Sequence, residues 1–156
     1  MQIVNTIIKI QGILEGAKYF KAILLVGARQ TGKSTLLSHL FPQIKTIVFD
    51  PIQDLYKARQ DPDLFLDSFT PPIILDEIQY VPELLSALKR KMDHSEQKGQ
   101  YFLTGSQNFS MLKTVAESMA GRIAIYNNVM TGLIIYGGKE MYKLDESTIA
   151  IPWNML

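Results

Sequence analysis

From Gly27 to Ser34 the chain reads Gly-Ala-Arg-Gln-Thr-Gly-Lys-Ser, and this spacing admits few backbones. Glycine takes left-handed dihedrals that a side chain disfavours, so two glycines let the chain curl around a small anion with its N–H groups turned inward. An apolar run, Ala22 to Val26, leads in, and a helical pattern of Leu36, Leu37, Leu40 and Phe41 leads out to Pro42. Strand, loop and helix in that order also aim the positive end of the helix at the anion. The pattern G-x-x-x-x-G-K-[ST] in this context is a phosphate-binding loop. Gly27, Gln30, Thr31, Gly32, Lys33, Ser34 and Thr35 are the expected nucleotide-binding residues, with Lys33 reaching the β- and γ-phosphates and Ser34 ligating Mg2+.

The second informative stretch is Pro71-Pro72-Ile73-Ile74-Leu75-Asp76-Glu77. A buried strand that ends in two carboxylates, next to a phosphate loop in a parallel sheet, puts negative charge where the metal of a bound nucleotide sits. Asp76 is expected to orient Mg2+, mostly through water. Glu77, one residue further, is expected to polarise an attacking water as general base.

The rest of the chain alternates strands and helices. Ile3, Ile7, Ile8, Ile13 and Leu14 predict a helix over 3–17 closed by Gly16, and 22–26 is the first strand. The β-branched and aromatic run Thr46 to Phe49 is a second strand, and Asp61-Pro62-Asp63 opens a short helix through Leu64, Phe65 and Phe69. Ile73 to Leu75 is the third strand. Pro82-Glu83 opens a helix with Leu84, Leu85, Leu88 and Met92 on one side, and Tyr101 to Thr104 is the fourth strand. Met111, Leu112, Val115 and Met119 mark a further helical face before the fifth strand, Ile123 to Tyr126. This alternation predicts an α/β fold with a five-stranded parallel sheet covered by helices on both faces. Residues 127–156 break the rhythm, with two short strands expected at 132–138 and 150–153.

Composition narrows the chemistry. A chain of 156 residues has the usual size of one domain. It has no cysteine, which excludes disulfides, thiolate zinc sites and cysteine nucleophiles, and only His39 and His94, which excludes a histidine-rich metal site. The net charge of +1 supplies no global attraction to nucleic acid or anionic lipid. Lys89, Arg90 and Lys91 read as a solvated helix end, with nucleic-acid contact as the alternative. The apolar runs are too short to span a bilayer, and Met1 to Thr6 lacks a basic start, so the expected location is the cytoplasm.

Four motifs in order, Gly-Ala-Arg-Gln-Thr-Gly-Lys-Ser-Thr, Leu-Asp-Glu-Ile-Gln-Tyr-Val-Pro-Glu-Leu, Leu-Thr-Gly-Ser-Gln-Asn and Ala-Gly-Arg, carry a resemblance over residues 20–126. The chain resembles the AAA-type P-loop ATPase domain of prokaryotic ATPases that carry a C-terminal DUF4143 domain. The resemblance implies the additional-strand P-loop core with strand order 5-1-4-3-2, ATP and Mg2+ as ligands, and ATP hydrolysis as the activity. It implies that the polar turn after the fourth strand senses the γ-phosphate, through Ser106 with Thr104 or Asn108 as rivals. It places Arg122 where AAA-type relatives keep an arginine that reaches a neighbouring subunit's nucleotide in a homo-oligomer. The alternative for Arg122 is a structural arginine paired with a carboxylate at the sheet end.

The resemblance divides the chain into an ATPase domain, 1–126, and residual strands, 127–156, similar to the end of the second domain. In the relatives that second domain resembles the restriction-nuclease fold. Its body is absent here, and no Asp followed by Glu-x-Lys remains, so nuclease chemistry does not carry over. Two functions therefore stand side by side: a Mg-dependent ATPase coupled to a partner, and a nucleotide-binding switch without useful turnover. A small-molecule kinase is a third, disfavoured because the carboxylate beside Asp76 suits water as acceptor.

Overall fold

A computed structural model describes residues 2–50, 55–106, 115–127, 133–136, 139–140, 142–143 and 149–152. Five strands, β1 (Ala22–Val26), β2 (Lys45–Val48), β3 (Ile73–Asp76), β4 (Tyr101–Gly105) and β5 (Ile123–Asn127), form one all-parallel sheet. Its order is β5-β1-β4-β3-β2, the expected 5-1-4-3-2. Every residue of β1, β3 and β4 is buried. That is why these strands read as continuous apolar runs, since both faces of a parallel sheet are covered.

Successive β1 side chains point to opposite faces. Ala22, Leu24 and Val26 join Ile73, Leu75, Tyr101, Leu103 and Ile123 in one core. Leu66 of helix α4 (Pro62–Asp67), Leu84, Leu88 and Met92 of α5 (Leu84–Asp93), and Val115 and Met119 cover it. Ile23 and Leu25 belong to the other core, with Ile74 and Phe102, under Ile10 and Ile13 of α1 (Gln2–Tyr19) and Leu36 and Leu37 of α2 (Lys33–Leu40). β2, at one edge of the sheet, is half exposed.

Local signals explain several boundaries. The Asp61 side chain accepts the Leu64 N–H at 2.9 Å and Pro62 takes the first helical position, so α4 starts where the capping pattern predicts. It ends at Asp67, short of Phe69, and is preceded by an unforeseen helix, α3 (Tyr56–Gln60). Strand β2 runs one residue earlier than expected. Met111 and Leu112 lie outside the described residues; the helical turn after them covers 115–118.

Gly16 does not close the first helix. α1 runs on to Tyr19, because Gly12 and Gly16 are used for close approach to Tyr126 of β5. The Tyr126 hydroxyl donates to the Gly12 carbonyl at 2.6 Å, and a Cβ on Gly16 would lie 2.5 Å from that hydroxyl. Helix propensity alone favours Ala over Gly by about 1 kcal/mol, whereas overpacking costs about 1–3 kcal/mol, so the clash should win. Gly16→Ala is expected to lower stability by up to about 2 kcal/mol in denaturant unfolding. Adding Tyr126→Phe should recover part of the loss, since Cζ stands at an ordinary 3.5 Å, while Ile23 Cδ1 remains at 3.2 Å and the hydrogen bond to Gly12 is gone. A Gly16→Ala protein more stable than the parent would show that the helix is not docked this way.

Among its described residues, the tail has three strands where the sequence predicts two. β6 (Leu133–Tyr136), β7 (Tyr142–Lys143) and β8 (Ile149–Pro152) form a separate sheet with β8 central, parallel to β6 and antiparallel to β7. Trp153, assigned to the last strand from sequence, lies outside the described residues. Among the described residues, no helix is long and apolar enough to cross a membrane.

Candidate functional site

The register of the sheet assembles the site. Val48 lies opposite Asp76, Leu75 opposite Leu103 and Val26 opposite Gly105, so four strands end along one edge. The Gly27 N–H donates to the Gly105 carbonyl at 3.3 Å, which ties the start of the loop to the end of β4. The loop then turns through two left-handed residues, Gln30 (φ 57°) and Gly32 (φ 82°). Gly32 precedes α2 with no side-chain cap, and the first helical bond runs from the Leu36 N–H to the Gly32 carbonyl at 2.8 Å. The N–H groups at the start of α2 therefore have no partner within the helix and suit an anion.

Lys33 is 4% exposed. Its ammonium donates to the carbonyls of Ala28 (2.6 Å) and Gly27 (3.2 Å), and the Thr31 hydroxyl donates to Ala28 at 2.9 Å. Burial lowers the Lys33 pKa from its ordinary value, against the opposing pull of Glu77 and Asp76. A buried ammonium held by backbone carbonyls and facing two carboxylates is a charged group with donors that a phosphate oxygen can accept.

Asp76 ends β3 and is also buried. Its Oδ1 accepts the Ser34 hydroxyl at 2.6 Å and the Thr104 hydroxyl. Thr104 in turn accepts the Glu77 N–H at 2.9 Å. Glu77 stands in the left-handed region at φ 61°, ψ 46°. For a non-glycine residue that conformation costs about 1–2 kcal/mol, so the surroundings must hold it there. Holding it are Thr104 on the backbone and Gln79, whose amide Nε2 donates to the Glu77 carboxylate and whose Oε1 accepts the Ser106 N–H at 3.2 Å. Gln79 sits in the single 3-10 turn Ile78–Tyr80.

A cavity of about 330 Å³ opens beside these groups, lined by Arg29, Gln30, Val48, Phe49, Asp50, Glu77 and Tyr80. Arg29 donates to the Tyr80 hydroxyl and lies 5.7 Å over the ring centroid, and Arg59 donates to the Tyr80 carbonyl at 2.8 Å.

Most of the residues named from sequence thus gather on one edge. Ser34 bonds to Asp76, Lys33 lies within the field of Asp76 and Glu77, and Gln30 lines a cavity with Glu77; Gly27, Thr31 and Gly32 shape the loop between them, while Thr35 is exposed on the first turn of α2. Ser106 reaches the site through its backbone N–H; the hydroxyl that touches Asp76 belongs to Thr104, and Asn108 lies outside the described residues. Arg122 is elsewhere. Its carbonyl receives the N–H groups of Lys21 and Ala22, at the end of the sheet opposite the phosphate loop, and its guanidinium binds Asp93 and the Ala120 carbonyl. That hydrogen bond holds the Asp93 carboxyl below its ordinary range. Arg90 and Lys91 pair with Asp63 and Asp67, so two of the three basic residues on α5 tie it to α4. Sequence reasoning passed over Gln79, Arg29 and Tyr80. Adjacency of Gln79 and Tyr80 to the Asp76-Glu77 pair was the available signal.

A family model described as AAA domain matches residues 19–133, which take in the phosphate loop and all five strands of the first sheet. Uncharacterised proteins of Mycobacterium bovis and Mycobacterium tuberculosis are each 29% identical to the chain over 114 residues, covering 72% of it. The matched stretch is 25% of those proteins' length, so the chain spans about a quarter of the curated relatives it matches. By sheet order, phosphate loop and a family match across most of its length, the chain belongs to the AAA domain family of nucleotide-binding, ATPase-type domains.

Proposed function

We propose that this chain binds ATP with Mg2+ and hydrolyses it to ADP and phosphate. The carrying observation is the 2.6 Å hydrogen bond from the Ser34 hydroxyl to Asp76, which joins the phosphate loop to the acidic end of β3. Two adjoining hard oxygens suit a small hard cation that takes few protein ligands and fills its shell with phosphate and water, so Ser34 and Asp76 would hold Mg2+. When bound, the ion offsets charge on the β- and γ-phosphates.

The chain's own residues supply the rest. Lys33 exchanges its carbonyl partners Gly27 and Ala28 for phosphate oxygens, beside the N–H groups at the start of α2. Glu77 takes a proton as water forms a bond to the γ-phosphorus and the bond to the bridging oxygen breaks, leaving ADP. Thr104, buried between Asp76 and Glu77, holds both in register, and Ser106 remains the candidate for a group that responds to the γ-phosphate.

The second reading is a nucleotide-binding switch without useful turnover. Arg122 favours it, because its guanidinium is engaged by Asp93 on its own chain. Action of Arg122 on a neighbour's nucleotide requires that this exposed pair open in a homo-oligomer. Residues 127–156 are read as a separate unit, remnant strands of a second domain, since the sheet of β6, β7 and β8 shares no strand with the first, although Asn127 itself still ends β5.

Phosphate release measured against Mg-ATP concentration, with the mass in solution recorded at each protein concentration, tests this function. Saturable, Mg-dependent release is expected, rising per chain with protein concentration where Arg122 acts in trans. Tight nucleotide binding with no release at any concentration would establish the switch instead.

A further inference from the structure

We propose that Gln79 is a positioning residue for hydrolysis, a strut that sets the Glu77 carboxylate from the end of β4. The proposal rests on the reading of Glu77 as general base.

The orientation of the Gln79 amide follows from its partners. A backbone N–H can only donate, so the group facing the Ser106 N–H at 3.2 Å is the carbonyl oxygen Oε1. Nε2 is then left to donate to the Glu77 carboxylate, as observed. One side chain therefore spans from the base to the first residue after β4. The root of the strut is firm: in the turn Ile78–Tyr80, Ile78 is fully buried, the Tyr80 N–H donates to Glu77 and the Val81 N–H to Ile78 at 3.1 and 3.0 Å. Arg59 holds the Tyr80 carbonyl from α3.

Glu77 is referenced to β4 twice. Its N–H rests on Thr104 and its carboxylate on Gln79, which rests on Ser106. A left-handed residue just past the end of a strand has no ladder to hold it, so these two contacts decide where the carboxylate lies. A shift of the segment Thr104–Ser106 moves backbone and carboxylate of Glu77 together.

The test compares Gln79→Glu with Gln79→Leu. Gln79→Glu keeps an oxygen for the Ser106 N–H but sets a carboxylate against Glu77; Gln79→Leu removes both contacts. Losing a hydrogen bond to a charged group predicts that kcat falls roughly 10- to 100-fold in both variants, with the KM and Kd for Mg-ATP within about 3-fold of wild type. On a Glu77→Gln background, where the base is already absent, Gln79→Leu should lower the residual rate no further. A thermal unfolding midpoint for each variant checks folding, and Gln79→Asn, which shortens the strut, replaces any variant that fails to fold. Near-wild-type kcat in Gln79→Glu with loss only in Gln79→Leu would mean that Gln79 merely braces the end of β4, and would overturn the proposal. A wild-type protein that hydrolyses no Mg-ATP would overturn the base assignment first, and the proposal with it.

Discussion

Glu77→Gln is expected to lower Mg-ATP turnover by about 10²- to 10⁴-fold, the usual contribution of a positioned general base, while nucleotide affinity stays within a few-fold. The substitution is nearly isosteric, so it tests proton transfer with little change of packing. Glu77 holds its left-handed backbone through its own N–H and Thr104, a contact that the side-chain change leaves in place. Gln79 still finds an oxygen acceptor on the amide. The change that remains is chemical, since an amide does not accept the proton of the attacking water. Single-turnover phosphate release, with affinity measured separately by a fluorescent nucleotide, separates the two effects. Equal rates in wild type and variant would remove Glu77 from the reaction.

Lys33→Ala should have the largest effect on binding, with Mg-ATP affinity falling by at least about 10²-fold as a charge-assisted contact is lost and two carboxylates are left facing a polyanion. The same variant should also lose the stabilisation that nucleotide gives the parent, because no ammonium is left to meet the phosphates. Wild type at a nucleotide concentration 100 times Kd should gain about 2.7 kcal/mol, and Lys33→Ala should gain almost nothing under the same conditions. Thermal unfolding with and without Mg-ATP reads both halves.

The pH dependence follows from the direction of the shift. With its folded pKa below the ordinary 10.5, Lys33 is protonated more in the unfolded chain than in the folded one between those two values. Stability of the nucleotide-free protein should therefore rise with pH across that window, and Lys33→Ala should lose this rise. A nucleotide-free wild type whose stability does not rise with pH across that window would contradict the desolvation argument.

The site shows which kinds of information reside in local sequence. The phosphate loop is a run of eight residues from Gly27 to Ser34, and its demands on backbone and charge are met within that run. Even so, the left-handed residues are Gln30 and Gly32 rather than the two motif glycines, Gly27 and Gly32. Asp61 caps its helix three residues on, at Leu64. By contrast, Ser34 meets Asp76 across 42 positions, Thr104 meets Asp76 across 28 and Ser106 meets Gln79 across 27. Those distances are set by strand order and register. From sequence Ser106 stands ahead of Thr104 as the polar group of that turn; the register sets the Thr104 hydroxyl against Asp76 and leaves Ser106 a backbone contact.

By itself, then, the sequence determined the α/β alternation, the phosphate loop on β1 and the acidic pair on β3. Each rests on a local cause: apolar runs sized for a buried strand, glycine where the backbone must turn, and carboxylates directly after a strand. Only the tertiary structure decided that Gly12 and Gly16 seat Tyr126 instead of ending α1, that Arg122 pairs with Asp93 at the far end of the sheet, and that Gln79 links Glu77 to β4. The physical reason is common to all three. A side chain's partner is chosen by strand order and register and by where the helices pack on the sheet, and no run of neighbouring residues contains that choice.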